Sequence, residues 1–152
     1  MKRILVTAAL LAASVALADD HPAKQPYVPG LGEFMTATQL RHAKLWFAGK
    51  AGNWALAAYE VDEIKEGLED AAKLYPTLEQ TPVAEMIKTI IDPRLERLEK
   101  AIEGKSSAQF IAAFDDLTNG CNACHAAAGK PFIRIQRPSE PPLSNQNFAP
   151  PK

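Results

Sequence analysis

The placement of proline constrains this chain more than any other feature. Three prolines (Pro22, Pro26, Pro29) precede residue 31, and six (Pro131, Pro138, Pro141, Pro142, Pro150, Pro151) follow Lys130. Between them, residues 31–130 carry proline only at 76, 82 and 93. Proline offers no amide N–H and clashes with the preceding helical turn, so both flanks read as extended or irregular chain while the centre is free to be helical.

That centre divides into four segments with their own start and stop signals. The first is expected from about Leu31 to Ala48, where Phe34, Met35, Thr38, His42, Leu45 and Trp46 recur at spacings of three and four, with Gly49 as its stop. Asn53 is placed to cap a second helix whose apolar stripe is Trp54, Ala58, Val61, Leu68, Ala72 and Tyr75, ended by Pro76. Thr81-Pro82 opens a third, carrying Val83, Met86, Ile87, Ile90, Leu95, Leu98 and Ile102, with a kink or restart at Asp92-Pro93 and a stop at Gly104. Ser106 and Gln109 form a capping pair for a fourth, whose face is Phe110, Phe114, Leu117 and Cys121. No strand pattern competes. Four amphipathic helices with short connections pack most simply as an all-α, antiparallel up-down four-helix bundle.

The N-terminus reads "MKRILVTAALLAASVALADD": a basic start, an apolar run, then Ala16-Leu17-Ala18 ahead of Asp19. This is the order of a secretory signal peptide over residues 1–18, and it implies the periplasm as destination. The expected organisation is then a proline-rich lead (19–30), the bundle (31–130) and a proline-rich tail (131–152). No later stretch approaches the roughly 20 apolar residues of a transmembrane helix. Loss of Lys2 and Arg3 leaves 15 basic against 18 acidic side chains. That mild acidity gives neither an electrostatic footprint for nucleic acid nor a polybasic anchor for anionic lipid.

The only two cysteines stand three apart, with a histidine directly after the second, in "NGCNACHAAAG" (119–129). On a helix, Cys121, Cys124 and His125 fall at i, i+3 and i+4 and share one side. Zinc needs three or four protein ligands, and the remaining histidines, His21 and His42, lie far away in the sequence. A thiol-disulfide centre would place its cysteines at a helix N-terminus, where the dipole stabilises a thiolate, whereas this motif lies near a C-terminus. A plain disulfide would not call for the histidine. The remaining chemistry is covalent haem attachment, for which Cys-x-x-Cys-His is the motif: two thioethers to the porphyrin, and the imidazole on the iron.

A secreted four-helix bundle with a single "CNACH" near the end of its last helix resembles the class II cytochromes c, the family of cytochrome c-prime and its six-coordinate, low-spin relatives. The resemblance covers about Leu31 to Lys130. It implies one haem c held by Cys121 and Cys124, with His125 on the iron. Family members usually place an aromatic and a basic residue three and four positions past that histidine; here Ala128 and Gly129 stand there, with Lys130 next, as in a divergent branch. The low-spin relatives draw a methionine from early in the first helix, and Met35 is the matching position. In an antiparallel bundle Met35 and His125 should also stand level. His42 is the rival sixth ligand, roughly 10 Å deeper at 1.5 Å per residue. The iron could also lack a sixth ligand.

These features point to single-electron transfer with periplasmic redox proteins or small redox molecules, and not to an enzyme. The alternative is a five-coordinate haem protein that binds small gases such as NO or CO in the manner of cytochrome c-prime. Bundles of the resembling family often pair through their first two helices, which makes a homodimer a further expectation. Trp46 and Trp54 are expected to wall the core or stack beside the macrocycle, and Met86 to fill core space. In the tail, Phe132, Ile133, Ile135 and Phe148 are too apolar for a purely solvated linker, so part of it is expected to lie across the bundle near the haem edge, where Arg134 or Arg137 could meet a propionate; a loosely ordered terminus is the alternative.

Overall fold

The computed structural model describes residues 26–152. The expected signal peptide and the first part of the lead lie outside them. Among the described residues the chain is all-helical, with no strand and only one isolated bridge, Leu78 to Thr81. The helices are α1 (Leu31–Lys50), α2 (Trp54–Leu74), α3 (Val83–Met86), α4 (Asp92–Glu103) and α5 (Ser107–Ala127). A π-helical turn, Ile87–Ile91, joins α3 to α4, so residues 83–103 form one continuous rod and the fold has four. Each rod packs on two others: α1 on α2 and α5, α4 on α2 and α5.

The termini follow the sequence signals closely. Asn53 Oδ1 accepts from the Leu56 N–H at 3.2 Å, and Ser106 Oγ from the Gln109 N–H at 3.4 Å. Pro82 is the N-cap of α3, one residue later than expected. At Gly30 the cap comes from below, where the Glu33 carboxylate accepts the Gly30 N–H at 2.7 Å and also holds the Tyr27 hydroxyl. The Tyr75 hydroxyl donates to the Pro29 carbonyl at 2.8 Å and ties the lead to the end of α2.

The restart at Asp92-Pro93 takes a specific form. Pro93 cannot donate to the carbonyl of Thr89, so the regular ladder has no rung there. The Asp92 N–H reaches instead to Ile87, five residues back. Arg94 satisfies a loosened carbonyl by donating from its guanidinium to Ile90, while its Nε reaches Asp116 on α5. The Thr89 hydroxyl donates to the Glu85 carbonyl at 2.7 Å. Side chains thus take over part of the ladder that proline breaks.

Two sequence expectations need correction. Gly49 does not end α1, which runs on to Lys50; the left-handed residue beyond the end is Gly52, with φ of 70°. Gly49 is absent a side chain for another reason: a Cβ there would lie 2.1 Å from the Phe110 ring. The buried face of α2 is also rotated from the expected stripe. Ala57, Glu60, Val61, Ile64, Leu68 and Ala71 point inward, while Ala58 is exposed. Glu60 is fully buried because Lys44 Nζ at 2.6 Å and Arg41 Nη1 at 3.2 Å come from α1 to meet it. The polar letter hid a buried position, since only its partners on α1 make the burial tolerable.

An aromatic cluster lies where late α1 meets early α5. Trp46, Phe110 and Phe114 stack there, with Trp46 to Phe114 at 4.9 Å and Trp54 edge-on to Phe110 at 6.0 Å. Gly49→Ala should push the Phe110 ring aside and cost about 3 kcal/mol, at the top of the usual overpacking range. Gly67→Ala, whose Cβ would meet Thr38 Oγ1 at an ordinary 3.8 Å, should instead gain up to about 1 kcal/mol of helix propensity. Urea midpoints of the two variants check both signs.

Candidate functional site

Beyond Leu117 the composition of α5 changes. The stretch "TNGCNACHAAAG" (118–129) contains no large apolar side chain, so the inner face of late α5 cannot fill the space that Phe110 and Phe114 fill one end away. A cavity of about 430 Å³ results, within the roughly 300–1,000 Å³ of small-molecule and cofactor sites. Its walls are mostly apolar: Ile64 and Leu68 from α2, Ile87 and Ile91 from the π turn, and Leu117 from α5.

Cys121, Cys124 and His125 open on this cavity together, as their spacing on α5 requires. Facing them are Met35 and His42 from α1 and Met86 from the start of the third rod. Early α1 and late α5 therefore both contribute to one cavity, and His42 lines it as Met35 does. Met86, expected as core, instead stands half-buried on the cavity wall. Trp46 and Trp54 are not on that wall; both belong to the aromatic cluster around Phe110.

No disulfide joins Cys121 to Cys124. Burial pushes Cys121 up to about 11 and raises Cys124 as well, so neither is a thiolate at neutral pH. Such thiols are poor nucleophiles by themselves. Gly120 allows the third rod to come close just before the motif: a Cβ there would stand 2.6 Å from Arg94 Cδ and 3.3 Å from Ile91 Cδ1. Among the described residues no three His, Cys, Asp or Glu side chains gather into a set that would hold a bare metal ion. The donors available to a group in the cavity are the two sulfurs and imidazole of α5, the Met35 and Met86 thioethers, and His42.

The two histidines differ in kind. His42 is 4 % exposed, lies against Phe114 with ring centroids 4.3 Å apart, and makes a 2.9 Å hydrogen bond through Nε2 to Thr118 Oγ1. Thr118 uses its own proton on the Phe114 carbonyl, at 2.9 Å, so it accepts from His42, whose Nε2 carries the hydrogen. Burial lowers the His42 pKa to about 4. His125 is half-buried, and its Nδ1 lies 3.2 Å from the Ile133 carbonyl. A carbonyl can only accept, so Nδ1 carries the hydrogen; in the neutral imidazole the lone pair is then on Nε2.

The tail holds that carbonyl in place. After a turn in which Lys130 N–H donates to the His125 carbonyl at 2.8 Å, the chain doubles back. Ile135 pairs with Asn122, Arg137 forms a two-pronged ion pair with Asp115 and lies 4.8 Å over the Trp46 ring, and Phe148 is buried against Phe47. Asn53 Nδ2 donates to the Ala149 carbonyl at 3.1 Å. The terminus is therefore packed along the fold, and Arg137 is engaged by Asp115 and not directed at the cavity. Sequence reasoning missed Asn122 as a structural residue. Its signal was the asparagine itself, an amide able to donate and accept where the motif demands neither.

Compared with protein-family models, with curated proteins and with solved structures, the chain matches none.

The burial of neutral His42 gives a pH signature. The unfolded chain takes up this proton near pH 6.5 and the folded one only near 4, so stability is full above 6.5 and falls as the pH drops between those values. At about 1.4 kcal/mol per pKa unit, the loss approaches 3 kcal/mol. In His42→Gln this part of the acid sensitivity should vanish, as unfolding midpoints between pH 7 and 4 would reveal.

Proposed function

We propose that this protein is a periplasmic monohaem cytochrome c that carries single electrons. The observation that bears most of the weight is the coincidence of the Cys-x-x-Cys-His face with an apolar cavity of cofactor size. In this reading the four rods form the antiparallel up-down bundle of the class II cytochromes c. The three-residue connections 51–53 and 104–106 and the shared end of early α1 and late α5 support that arrangement.

The donor set fits haem c. Cys121 and Cys124 would hold it covalently, and His125, whose Nδ1 donates to the Ile133 carbonyl, would offer Nε2 to the iron. Met35 would be the second protein donor in this reading: it lines the same cavity as His125, from early α1. His42 is less suited, since its Nε2 is committed to Thr118. A haem in this cavity supplies a one-electron couple whose potential the axial ligands and surrounding polarity set. The chain contributes the rest. Ile64, Leu68, Ile87, Ile91 and Leu117 keep water from the buried side. In this reading the chain is a carrier serving redox proteins or small redox molecules of the same compartment.

A second reading, gas binding at a five-coordinate iron, draws support from the width of the cavity and from the packing of Met35 against the core cluster. One set of measurements separates the two. Exported protein should have the mass of the chain from Asp19 plus one haem and keep its pigment through acid extraction, and the double variant Cys121→Ala, Cys124→Ala should keep none. The reduced protein should take up carbon monoxide slowly, and Met35→Ala at least tenfold faster. Rapid uptake by the parent protein would favour gas binding, and an unmodified mass would end both readings.

A further inference from the structure

We propose that Asn122, the residue between the cysteines that the attachment motif leaves free, is a positioning residue that sets the tautomer and orientation of His125 by clamping the C-terminal tail. The inference deepens the haem reading and rests on it for its effect on the iron. The motif requires two cysteines and a histidine and nothing of the residue after the first cysteine. Yet Asn122 is half-buried, and its Nδ2 and Oδ1 both bond to a single residue. Its Nδ2 donates to the Ile135 carbonyl at 2.9 Å, and its Oδ1 accepts the Ile135 N–H at 2.7 Å. The amide thus treats the tail as a neighbouring strand would and fixes its register.

Register is what His125 depends on. Ile133, two residues before the clamp on the tail, presents the carbonyl that accepts from His125 Nδ1, three residues after the clamp on α5. Two residues of extended chain span about 6.6 Å and three residues of helix rise about 4.5 Å, so the clamp and the imidazole bond form two rungs between the same pair of segments. The turn from Lys130, with the Ile133 N–H donating to the Lys130 carbonyl at 3.0 Å, closes the third side. A slip of one residue would turn the carbonyl of Ile133 away. The side chain must both donate and accept at this reach: aspartate cannot donate, leucine does neither, and glutamine is one methylene too long.

The consequence lies in the strength of the iron's nitrogen ligand. An imidazole that donates from Nδ1 to a carbonyl is more basic at Nε2 and favours the oxidised iron. Loss of the clamp should weaken that bond and raise the midpoint potential. A tenfold change in the reduction equilibrium, which is about 59 mV for one electron, is the expected scale.

The test compares the exported parent protein with Asn122→Ala and with Ile135→Pro, which keeps the asparagine but removes the N–H it accepts. Each is assayed for haem by mass, for midpoint potential, and for the His125 Nδ1–H by nitrogen-15 histidine NMR. Both variants should carry haem, show a potential higher by about that tenfold factor, and exchange the Nδ1–H at least tenfold faster. If either variant fails to fold, the other decides. Haem-loaded variants with the parent's potential and exchange rate would overturn the clamp while leaving the haem reading intact. Should the parent itself lack haem, that reading falls, and the imidazole tautomer of the haem-free chain decides the clamp. A shift away from Nδ1–H in Asn122→Ala would support it, and an unchanged tautomer would overturn it.

Discussion

The structure turns on a deficit of side-chain volume. Late α5 presents cysteine, alanine and glycine where early α5 presents phenylalanine, and nothing on the facing rods grows to compensate. A sealed apolar void of about 430 Å³ would, at about 24 cal/mol per Å³, cost on the order of 10 kcal/mol, comparable to the whole stability of a small domain. The opening of this cavity to solvent makes that an upper bound. In the haem reading proposed above, a group seated beside the two sulfurs and the imidazole would recover part of that cost.

The remaining features hold that half of the molecule in shape without filling it. The aromatic cluster of Trp46, Phe110 and Phe114 supplies rigidity at the other end. Glu60, between Arg41 and Lys44, locks α1 to α2 through charges that tolerate burial only together. Arg94 bridges the third rod to Asp116 on α5 just ahead of the motif. The tail adds an outer layer. Asn122, Arg137, Phe148 and the Asn53–Ala149 bond fasten it from one end of α5 to the α1–α2 turn, so proline-rich chain does work that a fifth helix would do elsewhere.

Much of this was legible in the sequence, and the reasons are local. Helix starts at Asn53 and Ser106, the restart at Pro93 and the common face of Cys121, Cys124 and His125 follow from rules that reach no further than four or five residues. Glu60 and Gly49 were not legible, because their meaning lies in residues on another rod: the cations of α1 for one, the Phe110 ring for the other. The tail was half legible. Its prolines announced extended chain and its apolar residues, Phe148 among them, announced contact with the bundle, but the partners that fix its path, Asn122 and Asp115, read as ordinary helix surface. The cavity had a signal too, the run of small residues after Leu117, whose weight appears only once the opposite wall is known.

The π turn at Ile87–Ile91 carries a consequence for phase. The inward residues of the third rod, Val83, Ile87, Ile91 and Leu95, are spaced by fours. In a regular helix each such step overshoots a full circle by about 40°, so three would swing Leu95 some 120° out of line. Widening one turn absorbs most of that drift. The rod therefore behaves as an ordinary helix with one surplus residue threaded in, and that surplus lets a single seam serve the cavity with Ile87 and Ile91 and the solid core with Leu95 and Leu98.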